Sequence, residues 1–399
     1  MQKIREQEIL GRDLRANPRY ELVLLDRLEP ELRRTLTNLE KDPDFYGVLR
    51  PGDGSGLGLK SVDRDTALLF LTLREPGALP AYVRRMAGES APRVAAQLVA
   101  DGILEIAQTA GGEGGFVSGA AAFGLLWEEG AEGRGGRLAE LSLAALRHGQ
   151  ALATSDPLRL SLCLYGFNRR PLTPAWKRLL ADAAAVERHL GIGPGGPHRR
   201  LLEQGWSRLS GASDAWLSWR RRGSDGGGLS ATGATWKLYV SPVPEALAGG
   251  FGRIVDALTA ARAPQFKIGT DAAGLLRPDK IVAYFESFER LAAAAEAVAG
   301  RLDGTPAQGV PFTSEIGGGG LVSWGVDPPG DPRGQWNGRE SWRLWLTHRL
   351  AVALLGGKLA GKNAEGSGVE PWRFALERLR LEGVDTDSWT PSGRLFPED

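Results

Sequence analysis

The sequence predicts an α+β fold: a mixed or antiparallel sheet with covering helices in the C-terminal half, preceded by a winged-helix-like module and a helical segment. The first observation is a set of three short runs between Thr235 and Arg290, Trp-Lys-Leu-Tyr-Val, Gln-Phe-Lys-Ile-Gly and Ile-Val-Ala-Tyr-Phe, which alternate in hydrophobicity with period two. The second is that the segments after the first and third runs carry apolar stripes at helical spacing, Leu247, Phe251, Ile254 and Leu258, then Phe288, Leu291, Ala295, Val298 and Leu302. The third is an N-terminal order of three short helical runs followed by a glycine-rich hairpin.

Alternation sorts the residues of the first run into two faces. Trp236, Leu238 and Val240 turn one way and Lys237 and Tyr239 the other; Phe266 and Ile268 turn inward while Lys267 turns outward; Val282, Tyr284 and Glu286 share a face. The helix opened by Pro244 and the helix after Ser287 then cover the inner face and leave the lysine face open.

A chain of 399 residues is long enough for two or three cores. The division expected is 1–130 for the winged-helix-like module, 131–192 for a helical connector ending at the Gly191-Ile-Gly-Pro-Gly-Gly-Pro break, and 193–399 for the sheet domain. In the first part, Ser61 or Asp63 caps a helix bearing Leu68, Leu69 and Leu73, helices follow over 81–86 and 91–100, and Ile103-Leu-Glu-Ile with Phe116-Val-Ser makes the hairpin; 32–40 reads as a helix and 42–47 as a turn. Helices are also expected over 138–152, 174–190 and 339–355.

Composition excludes some classes of function. A net charge of +1 gives no bulk attraction to nucleic acid or to an anionic membrane. Arg93 alone supplies positive charge on the third helix of the module, which suits a peptide-binding or scaffolding role better than a DNA-recognition helix, so nucleic acid is not an expected partner. One cysteine, Cys163 in an apolar run, excludes an intramolecular disulfide or a multi-cysteine zinc site and reads as a core residue. The charged start and the lack of a run of about 20 apolar residues predict a cytoplasmic protein without a membrane partner. No GxxxxGK[ST], H-R-D or D-F-G sequence is present, which disfavours a kinase.

Trp236-Lys-Leu-Tyr-Val-Ser, followed about thirty residues on by Phe266-Lys-Ile-Gly-Thr-Asp, resembles the phosphothreonine lyases of the OspF and SpvC type, and the spacing onward to Val282-Ala-Tyr-Phe-Glu-Ser, Gly309-Val-Pro-Phe-Thr and the Trp342-Arg343 helix is similar to the HopA-type effector family. The resemblance spans roughly 236–355. It implies β-elimination of phosphate from phosphoserine or phosphothreonine in a peptide, giving dehydroalanine or dehydrobutyrine, without metal or cofactor. It also implies a phosphorylated precursor peptide and a separate kinase as partners, as in a lanthipeptide-like pathway that matures ribosomal peptides.

Such chemistry needs a base for the α-proton, cations for the phosphate and a proton for the leaving group. Lys267 matches the family's catalytic lysine, and a lysine serves as base when burial and neighbouring cations lower its pKa. Lys237, Arg277, Lys280, Tyr284, Arg339 and Arg343 form the expected phosphate- and substrate-binding set. Tyr239 stands where the OspF and SpvC type carries a histidine, and a phenol with a pKa near ~10 is a weaker acid than imidazolium. That departure keeps open a non-catalytic phosphopeptide-binding or partner-activating protein; a winged-helix regulator is the third class. Taken singly, each residue has a plainer role, since strand lysines are ordinarily solvated, Tyr284 in an apolar run is ordinarily core, and arginines one helical turn apart ordinarily pair with nearby carboxylates.

Overall fold

The computed structural model describes residues 3–36, 39, 42–52, 57–110, 114–128, 135–209, 215–223, 235–328, 340–363 and 368–392. The three alternating runs lie at the centre of a seven-stranded sheet formed by Trp206–Leu209, Trp216–Arg221, Trp236–Val240, Gln265–Gly269, Ile281–Phe285, Ser314–Ile316 and Val322–Val326. Across the sheet the order is Ser314, Val322, Trp236, Ile281, Gln265, Trp216 and Trp206, naming each strand by its first residue. All of these pairings are antiparallel.

One face is dry. Leu238, Val240, Phe266, Ile268, Ile281, Ala283 and Phe285 are each 0% exposed, packed beneath helices Pro244–Ala260 and Phe288–Arg301. Pro244 occupies the first turn of the first helix, where its missing N–H costs nothing. Ser287 caps the second by accepting from the Arg290 N–H. The expected stripes are buried except Phe288, which is exposed and meets Trp236 and Trp324 with ring centroids 5.4 and 4.9 Å away.

In the N-terminal part Asp63 caps helix Arg64–Thr72 by accepting from the Thr66 N–H, helices Ala81–Ala87 and Ala91–Ala100 follow, and Leu104–Ala107 pairs with Phe116–Val117. Leu14–Ala16 pairs on the other side of Leu104–Ala107. A second three-stranded sheet, Tyr20–Leu24, Phe45–Pro51 and Lys60–Asp63, includes half of the stretch read as a turn over 42–47. Gly47, Val48 and Leu49 are buried in succession there, so the strand has no alternation to read. The helix expected over 32–40 runs from Pro30 to Thr35, and that expected over 174–190 is two helices, Pro174–Leu179 and Ala183–His189, because Asp182 starts a new one by accepting from the Ala185 N–H. Cys163 is exposed rather than core: on helix Pro157–Tyr165, Leu160 and Leu164 point inward and the cysteine outward.

Helices Trp342–Asn363 and Pro371–Leu381 pack into the apolar core of the N-terminal half, where Trp342, Leu346 and Leu350 join the cluster that holds Leu146, Leu160 and Leu164, and Phe374 joins Trp127. Among the described residues no helix is long and apolar enough to cross a membrane. Trp342 also brings this core against the second face of the sheet at Gly325, where a Cβ atom would sit 2.6 Å from the Trp342 Cδ1. Gly325→Ala is therefore expected to destabilise the fold by about 1–3 kcal/mol through overpacking, measured as a lower urea midpoint at unchanged slope.

Candidate active site

Cross-strand register decides which side chains meet. Lys267 lies opposite both Ser218 and Val282, Val282 opposite Tyr239, and Tyr239 opposite Ser323. In the neighbouring row Arg220, Gln265, Tyr284, Lys237 and Gly325 follow one another. Residues in register point to the same face of a sheet, so Lys237, Tyr239, Lys267 and Tyr284 all project away from the two covering helices.

The two ammonium groups converge on one aromatic ring. Lys237 Nζ lies 5.8 Å and Lys267 Nζ 5.6 Å from the Tyr284 ring centroid. Lys267 Nζ is also 4.1 Å from the Trp216 ring, and Arg277 Cζ is 5.1 Å from that same ring. Two lysines and one arginine thus share a site walled by Trp216 and Tyr284, with cation–π attraction helping to hold the long side chains in place.

Two carboxylates organise these cations. Asp327 accepts from Lys237 Nζ at 2.6 and 2.5 Å, and its Oδ1 also accepts the Trp342 N–H at 3.2 Å. Asp279, 3% exposed, accepts from Arg277 Nε at Oδ1, and at Oδ2 from Arg277 Nη2, Arg343 Nη1 and the Tyr165 hydroxyl, with the three guanidinium contacts at 2.8 Å and the phenol at 3.0 Å. Arg277 lies at the edge of this cluster, and its Nη1 makes no hydrogen bond to a described residue.

Burial lowers the Lys267 pKa to about 8, aided by Lys237 and Arg277, while Asp279 and Asp327 oppose the shift. Burial of Lys280 lowers its pKa to about 7. Tyr239 and Tyr284 are both raised above the ordinary phenol value by burial, so both hold their protons at neutral pH. Tyr165 is pushed up to about 12 by burial and by Asp279.

The residues singled out in the sequence separate accordingly. Lys237, Lys267, Tyr284 and Arg277 come together. Tyr239, 3% exposed, belongs to a small cluster with Val282 and Val310, against which Tyr284 packs. Lys280 is 0% exposed and donates to the Pro242 carbonyl at 2.8 Å and to Gln308 Oε1 at 2.7 Å. Arg343 is fully buried, with Nε on the Pro311 carbonyl and Nη2 on the Tyr165 carbonyl in addition to Asp279. Arg339 lies outside the described residues. Asp279, Asp327, Tyr165 and Trp216 were not marked by the sequence; the Arg-Pro-Asp-Lys run at 277–280 is the local signal that places a carboxylate beside a functional arginine. Among the described residues no group of three or more His, Cys, Asp or Glu is placed to hold a metal ion.

No family model matches the chain, and no curated protein matches it. Among solved structures it is similar to the effector protein from Pseudomonas syringae pv. tomato, with 10% identity over 64% of this chain and 99% of that one and a TM-score of 0.37. It is also similar to the type III effector and phosphothreonine lyase OspF from Shigella flexneri, with 14% identity over 30% of this chain and 69% of that one and a TM-score of 0.25. The phosphothreonine lyase SpvC from Salmonella gives 13% identity over 46% of this chain and 89% of that one, again with a TM-score of 0.25.

The electrostatics make a direct prediction. Lys237→Met removes a like charge beside Lys267 and frees the Asp327 carboxylate, and both changes favour the ammonium, so Lys267 is expected to titrate above its value of about 8. Nuclear magnetic resonance of isotopically labelled, reductively methylated lysines reads the midpoint, and an unchanged value would show that the two groups do not interact. The same depressed pKa destabilises the folded state below pH 8; that cost is relieved as pH rises from about 8 toward the ordinary 10.5.

Proposed function

We propose that the chain is a lyase that removes phosphate from phosphoserine or phosphothreonine in a peptide, leaving dehydroalanine or dehydrobutyrine. The observation that carries this reading is the convergence of Lys267, Lys237 and Arg277 around Tyr284 and Trp216, with the Lys267 pKa lowered to about 8. A lysine so tuned has a useful fraction of free amine near neutral pH. Lys237 and Arg277, whose Nη1 makes no hydrogen bond to a described residue, supply positive charge for a phosphate.

In the proposed reaction the Lys267 amine takes the α-proton, the Cα–H electron pair becomes the Cα=Cβ bond, and the Cβ–O bond breaks with its electrons leaving on phosphate. Pairing with Lys237 and Arg277 stabilises the negative charge that gathers on the departing oxygen. Tyr239 and Tyr284 are the phenols available to protonate it, and the Tyr284 ring faces both ammonium groups. Lys280 and Arg343 act in this reading by supporting the site from within the protein.

The wider context is proposed with it: a precursor peptide phosphorylated by a separate kinase, maturation of a ribosomal peptide of the lanthipeptide type in the cytoplasm, and capture of the peptide's leader by the winged-helix-like module. The short Phe116–Val117 strand, paired to Leu104–Ala107, gives that module a sheet edge of the kind that accepts an added strand. A second reading, a phosphopeptide-binding protein without turnover, is favoured by one observation, the burial of Tyr239 at the position of the family's acid.

Incubation with a phosphothreonine peptide, followed by mass spectrometry, separates the two. Loss of phosphoric acid is expected, on a rate profile rising through about pH 8 as Lys267 loses its proton. Lys267→Ala is expected to slow it by about 10²–10⁴-fold, the usual worth of a general base. Binding without loss of phosphate would decide for the second reading, and full turnover in Lys267→Ala would remove the lysine from the role of base.

A further inference from the structure

Arg277 and Arg343 share one carboxylate but differ in what they have left to offer. Arg343 is fully buried, with all three guanidinium nitrogens hydrogen-bonded: Nε to the Pro311 carbonyl at 3.0 Å, Nη1 to Asp279 at 2.8 Å and Nη2 to the Tyr165 carbonyl at 2.7 Å. No edge of it faces a ligand. Arg277 is clamped to the same Asp279 through Nε and Nη2, a fork that fixes its plane, and its side chain retains 22% of its exposure. The clamp leaves Nη1 as the donor directed away from the carboxylate.

We infer that Asp279 is a positioning residue, which presents Arg277 Nη1 to the substrate phosphate and uses Arg343, bound to the same Oδ2 that accepts Arg277 Nη2, as a buried brace. A buried carboxylate held by two guanidinium groups and a phenol has little freedom to move, and it passes that rigidity to Arg277, whose side chain stays partly exposed. The turnover arm of the test rests on the proposed lyase reading. Lys267 reports on the same charges, because Lys237, Arg277, Asp279 and Asp327 act on it from three different segments, and the rings of Trp216 and Tyr284 face it.

Asp279→Asn removes the negative charge and loosens the fork. Turnover of a phosphothreonine peptide is expected to fall by about 10²-fold from misplacement of the arginine. The pH–rate limb is expected to move to lower pH, because Asp279 favours the Lys267 ammonium. Arg277→Gln removes a cation that disfavours that ammonium, so its limb moves to higher pH. Opposite shifts from two residues in contact are what a merely structural role would not produce. Should Asp279→Asn fail to fold, Arg277→Lys decides: it keeps the charge but cannot form the fork, so a loss of turnover with the limb in place supports the inference, and wild-type turnover overturns it. Wild-type turnover and an unmoved limb in folded Asp279→Asn also overturn it. If the unaltered protein eliminates nothing, the lyase reading falls and inorganic phosphate binding alone decides. Weakening by about tenfold in Arg277→Lys, the worth of one charge-assisted hydrogen bond, supports the inference, whereas unchanged affinity overturns it.

Discussion

A carboxylate withdrawn from water costs several kcal/mol unless cations and hydrogen bonds replace what hydration supplied, and Asp279 meets that demand by gathering groups from distant parts of the chain. Tyr165 comes from the last position of helix Pro157–Tyr165, Arg277 from the approach to a central strand, and Arg343 from the first turn of helix Trp342–Asn363. These segments meet because each satisfies part of one buried charge. The site is thus built as much by the neutralisation of Asp279 as by the lysines that face Tyr284.

The second constraint is the pleat. Because partners in an antiparallel ladder share a face, the strand register alone carries Lys237, Tyr239, Lys267 and Tyr284 to one side and leaves the other wholly apolar. A one-residue slip of the central strands would turn both lysines into the packed layer. The dry layer beneath the two helices, with seven strand residues at 0% exposure, holds that register against such a slip.

That division explains what the sequence could and could not disclose. Period-two alternation and helical stripes are local signals, so the central strands, the covering helices and the shared face of Lys237 and Lys267 were legible from residue order. The fate of Lys280 and Arg343 was not. Both read as cations of a binding site, yet Lys280 is held by Gln308 and a carbonyl, and Arg343 by Asp279 and two carbonyls, all partners far away in the chain. Cys163 misled in the other direction, since an apolar run does not state which of its members a helix turns outward. Asp279 went unmarked because a single aspartate carries no periodic signal; only its partners give it meaning. The Phe45–Pro51 strand was read partly as a turn because its burial is continuous instead of alternating.

The packing of Trp342–Asn363 and Pro371–Leu381 into the first half of the molecule bears on how the chain acquires its structure during synthesis. The residues that close the core around Trp127, Leu146 and Leu164 are made long after the residues they cover. Until then the N-terminal half holds apolar surface that awaits its lid, in a cell where exposed surface of that kind attracts chaperones. Trp342 and Arg343 are adjacent on that late helix, one entering the core and the other the Asp279 cluster, so completion of the hydrophobic interior and assembly of the charged site fall to the same turn of helix.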